Sequence, residues 1–328
     1  LAVRRGFKSQ LDGKAETYLQ EASASSVTKS KPILALEYVL QHAVQGSPEE
    51  VLKSLENFAL KVLRPQRQWF KIAAGDKATV VERALQCAPD GACLELGTYV
   101  GYTAIRCALR RPTSKVVSIE VDPEHAVLSQ CLAIHAGVDH QVRVWTGQSG
   151  DVLRSLRDRY GVSDAEFPRF AMVFMDQCGS RFWSDLEVLI KQELLMPGAI
   201  LLADNVLKPG APLFLWQLFH GLGRDVFTSH LISLEEFAMP GVEDCMLMAR
   251  YHPSTSQPGK MAMPLEVQAL EFEASCIRTR AAEPGGVPFE EWSAHGERMK
   301  RALEDLNIRI GEDLSSADCA KAGREKSK

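Results

Sequence analysis

Five short apolar runs, separated by longer segments of helical period, constrain the fold of this chain more than any other feature. Each run is almost continuously hydrophobic, which is typical of strands that are buried on both faces of a parallel sheet. The alternation therefore predicts an α/β protein with a doubly wound sheet and helices on both faces. The runs lie at residues 92–96, 116–120, 142–146, 171–175 and 200–203.

Two further apolar runs, at residues 227–232 and 245–249, are joined by a segment that is too short for a crossover helix. Strands connected in this way pair antiparallel. We therefore expect a mostly parallel seven-stranded sheet that ends in an antiparallel hairpin. The chain is expected to divide into a polar lead-in at 1–30, one main domain at 31–251, and a polar extension at 252–328 with one amphipathic helix. That helix is predicted by the spacing of Trp292, Met299, Leu303, Leu306 and Ile310.

Composition narrows the classes of function. The net charge of −4 gives no electrostatic reason to expect a nucleic-acid partner, so a small-molecule substrate is favoured. No apolar run is long enough to predict a membrane-spanning segment. The eight cysteines are scattered and contain no C-x-x-C pair, so we expect reduced, buried thiols and a cytoplasmic protein. Because the sequence begins with Leu1, its N-terminus is expected to be incomplete.

The turn after the first strand predicts a cofactor. Gly97 and Gly101 form a G-x-x-x-G pattern, whereas a dinucleotide fingerprint has closer glycines that admit a pyrophosphate. Glu95 would repel a phosphate and attract a cation, and Glu120, at the end of the second strand, could accept hydrogen bonds from a ribose. Each carboxylate could instead be an ordinary strand-end group. Together they favour a positively charged nucleoside such as S-adenosylmethionine.

Three oxygen-bearing side chains follow the fourth and fifth strands. Asp176 ends one strand, and Asp204 with Asn205 ends the other. Ligand sites of open α/β sheets lie at the carboxyl ends of their strands, and a set of hard oxygen donors suits Mg²⁺. Capping of the next turn is the alternative for Asp204 and Asn205.

These residues resemble the metal-dependent catechol O-methyltransferases over about residues 31–251. The resemblance implies a Rossmann-like methyltransferase domain, S-adenosylmethionine, and Mg²⁺ that chelates both oxygens of a catechol. The shared motifs are Glu95-Leu96-Gly97, Tyr99, Gly101-Tyr102, Glu120, Gly147-Gln148-Ser149, Asp176 and Ala203-Asp204-Asn205, with Trp69, Gly75-Asp76 and Pro209-Gly210 around them.

The resemblance also implies roles for individual residues. Glu236 is similar to a carboxylate that holds the second catechol hydroxyl, although a shift of one residue would give this role to Glu235 instead. The implied metal ligands are Asp176, Asp204 and Asn205. The expected cofactor contacts are Ala74, Glu95, Gly97, Tyr99, Thr103, Glu120, Ser149 and Asp176.

One departure from the family pattern concerns the catalytic base. The family places a lysine three residues after the aspartate of strand four, where this chain has Gly179. Gln177 and Cys178 likewise replace a histidine and a tryptophan, which opens the pocket to larger acceptors. A positioned base typically raises the rate 10²–10⁴-fold. A bound metal can also lower the pKa of a hydroxyl when no such base is present. Lys208, or else Lys71, could substitute for the lysine, unless both are solvated surface charges.

Two functions follow from these observations. The first is methyl transfer to a vicinal diphenol. The second is a methyltransferase-like binding module with little or no turnover, which would contact a protein partner through its C-terminal extension. The missing lysine favours the module, and the complete metal set favours the enzyme. A nicotinamide-dependent dehydrogenase is disfavoured by the spacing of the glycines.

Overall fold

A computed structural model describes residues 29–156, 169–254, 262–283 and 286–311. Its centre is a seven-stranded sheet of order β3-β2-β1-β4-β5-β7-β6. The strands β1 to β5 are parallel, and β7 pairs antiparallel with both β5 and β6. The predicted fold class is therefore confirmed. The strands are β1 (Ala92–Leu96), β2 (Val116–Glu120), β3 (Val142–Thr146), β4 (Phe170–Met175), β5 (Leu195–Ala203), β6 (Phe227–Glu235) and β7 (Glu243–Tyr251).

The helices cover both faces of the sheet. Two of them begin at side-chain caps: the side chain of Ser47 accepts a hydrogen bond from the backbone N–H of Glu50, and that of Asp122 accepts one from the N–H of Glu124. The helices are α1 (Lys31–His42), α2 (Pro48–Asn57), α3 (Asp76–Cys87), α4 (Tyr102–Arg110), α5 (Pro123–His135), α6 (Ser149–Arg154), α7 (Phe182–Lys191), α8 (Pro212–Phe219), α9 (Leu265–Ala282) and α10 (Phe289–Asp305).

Each face of the sheet has its own hydrophobic core. Helices α1 to α5 bury one core, in which Leu55, Val81 and Leu132 are fully enclosed. Helices α6 to α8 bury the other core, which includes Leu186 and Leu215. Near-continuous apolar strands are required here because every central strand contributes side chains to both cores.

The C-terminal segment contains two helices, whereas the sequence predicts only α10. Most of α9 is exposed, and its buried residues Val267, Ala274 and Ile277 leave no strong apolar stripe. Both helices pack into the second core, through Ala274 of α9 and Met299 of α10. The extension therefore lies against the domain along α9 and α10.

Three expectations can be compared with the described part of the chain. No helix within the described ranges is long and apolar enough to cross a membrane. The prediction of buried thiols is wrong for three free cysteines, which are exposed. Cys131 and Cys276 lie on the outer faces of α5 and α9, and Cys178 lies in the loop after β4. The prediction of reduced cysteines is wrong for Cys87, which is disulfide-bonded.

Candidate active site

The carboxyl ends of β4 and β5 bring two predicted metal ligands to one edge of the sheet. Met175 pairs with Ala203 in the parallel register, so Asp176 and Asp204 follow at the same level. The backbone N–H of Asp204 donates to the carbonyl of Met175 over 2.9 Å. The two carboxylates therefore share one crevice, as the sequence predicts.

The predicted cofactor turn lies directly beside this crevice. Gly97 has a φ of +90°, and a Cβ atom built on it would lie 2.6 Å from the carbonyl oxygen of Asp176. Only glycine fits such an approach without displacing one of the two backbones. The end of β1 and the end of β4 are thus in contact, which joins the cofactor turn to the first carboxylate.

Glu120 organises the turn from the neighbouring strand. Its Oε2 accepts hydrogen bonds from the backbone N–H groups of Thr98 at 2.9 Å and Tyr99 at 2.8 Å, and its Oε1 accepts one from Asp122 at 2.9 Å. Tyr99 holds a positive φ of 52°, a conformation that needs such support in a non-glycine residue. The ring of Tyr99 packs edge-on against Phe70.

Glu95 is a buried carboxyl group at the base of the turn. The hydroxyl of Ser118 donates to it. Burial, with a smaller contribution from the charge of Glu120, raises the pKa of Glu95 to about 8. A cation bound next to Glu95 would stabilise its ionised form.

The other predicted cofactor residues, Ala74, Thr103 and Ser149, are also buried. Ser149 donates to the carboxylate of Asp185, which also accepts a 3.1 Å hydrogen bond from Nε2 of Gln177. A buried aspartate therefore fixes the orientations of Ser149 and of the residue that follows Asp176.

A buried lysine lies at the centre of the acidic residues. Nζ of Lys77, in the first turn of α3, is 2.9 Å from Asp204, 2.7 Å from Glu236 and 3.3 Å from Asp244. Only 1% of its side chain is exposed. Its position is fixed by Gly75, whose φ is +60° and whose backbone packs against Phe237, the residue after Glu236. Three carboxylates from different strand ends thus converge on one ammonium group.

The protonation of this cluster follows from burial and charge. Burial alone would lower the pKa of Lys77, but the three carboxylates raise it well above its usual value. Burial and the neighbouring charge of Asp204 raise the pKa of Asp176 well above its ordinary range. Burial also raises the pKa of Glu236 to about 7, although Lys77 opposes this shift. The acidic groups together exceed the positive charge available from Lys77.

The donor set fits a hard divalent cation. Nδ2 of Asn205 donates to Asp244 over 2.8 Å, which leaves its Oδ1 as the atom for a metal. Asp176 and Asp204 supply carboxylate oxygens, and their excess negative charge would be relieved by a cation. Over the ranges that the structure covers, no group of three His, Cys, Asp or Glu side chains could hold a metal ion, and the predicted set differs in containing an amide.

The remaining predicted residues separate into two environments. Glu236 is buried beside Lys77, whereas Glu235 is exposed and accepts from the backbone of Gly241. Glu236 is therefore the member of the pair that faces the crevice. Lys208 is buried, with its stem against Gly296 of α10. Lys71 is exposed near the ring of Trp69.

Three residues of the site were not identified from the sequence. Asp244 is the second residue of β7 and Asp185 lies within α7, and neither position belongs to a recognisable motif. Lys77 could have been noticed from the sequence, because a cation in the first turn of a helix is unfavourable and therefore suggests a nearby negative charge. An unusual charge at that position is explained only by the carboxylates that the fold places opposite it.

Comparison with known proteins agrees with this geometry. Residues 43–213 match the family model described as O-methyltransferase. Catechol O-methyltransferase of Bos taurus is 36% identical over 187 residues, which cover 57% of this chain and 65% of the bovine protein. The chain thus spans just under two thirds of that relative.

Two further proteins are similar to this chain. The transmembrane O-methyltransferase of Homo sapiens is 32% identical over 219 residues, which cover 66% of this chain and 71% of the human protein. The O-methyltransferase TomG from Streptomyces achromogenes, known from a crystal structure, is 22% identical in sequence to this chain. The match between the two structures has a TM-score of 0.49 and covers 73% of this chain and 96% of TomG. The family match spans more than half of the sequence, and the predicted resemblance is confirmed: the chain belongs to the O-methyltransferase family, with relatives among the catechol O-methyltransferases.

Proposed function

We propose that this protein transfers a methyl group from S-adenosylmethionine to one hydroxyl of a catechol-like vicinal diphenol, the class that includes catecholamines. One observation carries the proposal: the turn at Gly97 touches Asp176, so the predicted cofactor turn and the predicted metal edge form one continuous site. A methyl donor and a chelated acceptor would meet at that junction. The names of the similar proteins support the same reaction class.

The cofactor would be bound by charge and hydrogen bonding. Glu95 is the buried carboxylate for a cationic ligand, and Glu120 fixes the turn through three hydrogen bonds while keeping one lone pair on Oε1 for a ribose hydroxyl. Ala74, Gly97, Tyr99, Thr103 and Ser149 would complete the pocket. Asp176 lies between the cofactor turn and the metal edge, where it can also accept from the cofactor's amino group.

The acceptor would lie at the acidic edge. Asp176, Asp204 and Asn205 would hold Mg²⁺, which would orient the diphenol and lower the pKa of its hydroxyl. Glu236 would accept a hydrogen bond from the second hydroxyl. Lys77 keeps Asp204 and Glu236 together, and its raised pKa makes it a permanent cation rather than a base.

Lys208 is the residue that we propose as the proton acceptor. Burial lowers its pKa, and the charges of Asp244 and Glu243 only partly oppose this effect. In its neutral form, Nζ could take the proton of the hydroxyl as the same oxygen attacks the methyl carbon. The C–S bond breaks while the C–O bond forms, which gives S-adenosylhomocysteine and a methyl ether. Most of the acceleration would then come from proximity.

The test combines binding with turnover on the full chain. S-adenosylmethionine is titrated calorimetrically with and without Mg²⁺, and S-adenosylhomocysteine release is then measured with a panel of catechols. We expect binding and Mg²⁺-dependent release in the wild type. The variant D204N should lose release, while D225N, an exposed aspartate outside the site, should keep it. Binding without release on every diphenol would contradict the proposed reaction and support the binding module.

A further inference from the structure

The two C-terminal helices pack directly on the turn that follows the predicted metal ligands. This turn, residues Val206–Gly210, begins immediately after Asn205 and contains a cis peptide bond before Pro209. Gly296 of α10 lies so close to the turn that a Cβ atom there would be 2.7 Å from Cδ of Lys208. Met299 of α10 covers the other end, with Cε 3.1 Å from the position of a Cβ on Gly210.

His295 joins α10 to this turn by a polar contact. Its side chain is completely buried, with Nε2 2.8 Å from the carbonyl oxygen of Pro209 and Nδ1 3.0 Å from the carboxylate of Glu273 on α9. Both partners are acceptors, so the ring meets both contacts only when it donates through both nitrogens. Through these two contacts the ring fixes the turn and both helices at one point.

Arg278 of α9 makes a second attachment at the end of the turn. Its Nη1 donates to the carbonyl of Gly210 over 2.8 Å, and its Nη2 donates to Glu271 over 2.5 Å. Gly179, three residues after Asp176, faces the same place. A Cβ atom on Gly179 would lie 3.0 Å from the carbonyl of Gly210 and 3.4 Å from Nη1 of Arg278. The helical pair thus contacts the turns that follow both β4 and β5.

Residues 205–208 are also hydrogen-bonded to Asp244, which belongs to the acidic cluster around Lys77. The backbone N–H of Lys208 donates to Oδ1 of Asp244 over 3.1 Å, and the side chain of Asn205 donates to Oδ2 of the same carboxylate over 2.8 Å. Asp244 also contacts Lys77 at 3.3 Å. A displacement of the turn would therefore move Asn205 and disturb the carboxylates around Lys77.

We propose that α9 and α10 form part of the acceptor side of the active site, with His295 and Arg278 as positioning residues for the turn at residues 206–210. This proposal rests on the proposed function for its consequence in catalysis. The helical pair holds Asn205 and the proposed base Lys208 in register with Asp204. It acts on the acceptor and metal half of the site and leaves the cofactor half, on β1 and β2, unaffected.

The experiment compares variants that keep side-chain volume but lose the hydrogen bonds. H295F and R278M remove the two attachments, and R278K restores one donor to Gly210. R298M is the matched control, because Arg298 lies on the same face and is half exposed, and its hydrogen bonds go to Glu273 rather than to the turn. Each full-length variant is examined by hydrogen–deuterium exchange of residues 203–212, by calorimetry with S-adenosylmethionine, and by kinetics with a diphenol.

We expect amide exchange in residues 208–211 to be about tenfold faster in H295F and R278M, because each loses a buried hydrogen bond. The KM for the diphenol should rise by about the same factor, while the affinity for S-adenosylmethionine stays within about twofold. R278K should recover most of the change, and R298M should match the wild type. Unchanged exchange and KM would overturn the proposal.

A parallel loss of cofactor binding and overall stability would also overturn it, since the helices would then only stabilise the domain. The proposed function fails separately. If the wild type methylates no diphenol, faster exchange confined to residues 208–211 in the variants still supports the positioning role of His295 and Arg278. Unchanged exchange rejects that role.

Discussion

Nζ of Lys77 lies 2.7 Å from Oε2 of Glu236, at the point where the start of α3 meets the end of β6. Two further carboxylates, Asp204 and Asp244, contact the same ammonium group. Charges buried in this way are stable only as a set, because each one alone would lose its hydration without compensation. The acidic edge of the site therefore depends on a cation that the protein itself provides.

The first prediction concerns the removal of this cation. K77M should destabilise the protein by about 3–5 kcal/mol, since it leaves three carboxylates without their partner. Urea denaturation measures the loss, and K115M, at an exposed lysine, is the control. If the edge binds Mg²⁺, the ion should stabilise K77M more than the wild type. A loss below about 1 kcal/mol would show that the carboxylates do not depend on Lys77.

The second prediction concerns the pH dependence of cofactor binding. Glu95 has a pKa of about 8 without ligand, so it is mostly protonated at pH 7. A cationic ligand favours the carboxylate, so affinity for S-adenosylmethionine should rise by about tenfold or more from pH 6 to 8 and then level off. Calorimetry in buffers of different ionisation enthalpy should detect proton release at pH 7.

The variant E95Q isolates this effect from titration of the cofactor itself. Its affinity should be lower above pH 8, and its pH dependence should be correspondingly weaker. Glu120 and Asp176 also influence this carboxyl group, so the comparison is made within one series of buffers. An identical pH dependence in E95Q and the wild type would assign the titration to another group.

The third prediction restores the lysine that the family resemblance implies at position 179. G179K should not raise activity, because its Cβ would lie 3.0 Å from the carbonyl of Gly210 and 3.3 Å from Cβ of Ala211. The overpacking should cost about 1–3 kcal/mol. C178K, at an exposed neighbouring position, is the control and should cost less than about 0.5 kcal/mol. Increased turnover by G179K at unchanged stability would contradict this account.

The fourth prediction tests Lys208 as the base. K208M should lower kcat by about 10²-fold and remove the rise of kcat with pH that a neutral amine produces, while cofactor affinity stays unchanged. The pH–rate profile on a diphenol is the measurement, with K191M as an exposed control. A parallel fall of kcat at every pH would assign Lys208 a packing role against Gly296 instead.

The strands could be predicted because their sequence pattern is local. Each central strand is apolar on both faces, so the run at residues 92–96 identifies β1 without reference to any other part of the chain. The position of the acidic site followed from the same pattern, because the apolar runs place Asp176 and Asp204 at the C-terminal ends of neighbouring strands. Helix α9 could not be predicted, because its contacts are few and its outer surface carries Leu265 and Phe272 in exposed positions.

The sequence by itself determined the strands of the sheet's parallel core, the cofactor turn and the acidic residues that follow the strands, because these depend on periodicity and on residues adjacent in the chain. Only the tertiary structure decided that Lys77 contacts Asp204, Glu236 and Asp244, residues 127 to 167 positions away. It also decided that α9 and α10 hold the turn after Asn205. Such contacts join surfaces that become neighbours only after the sheet has formed, and no local pattern of hydrophobicity or charge encodes which surfaces will meet.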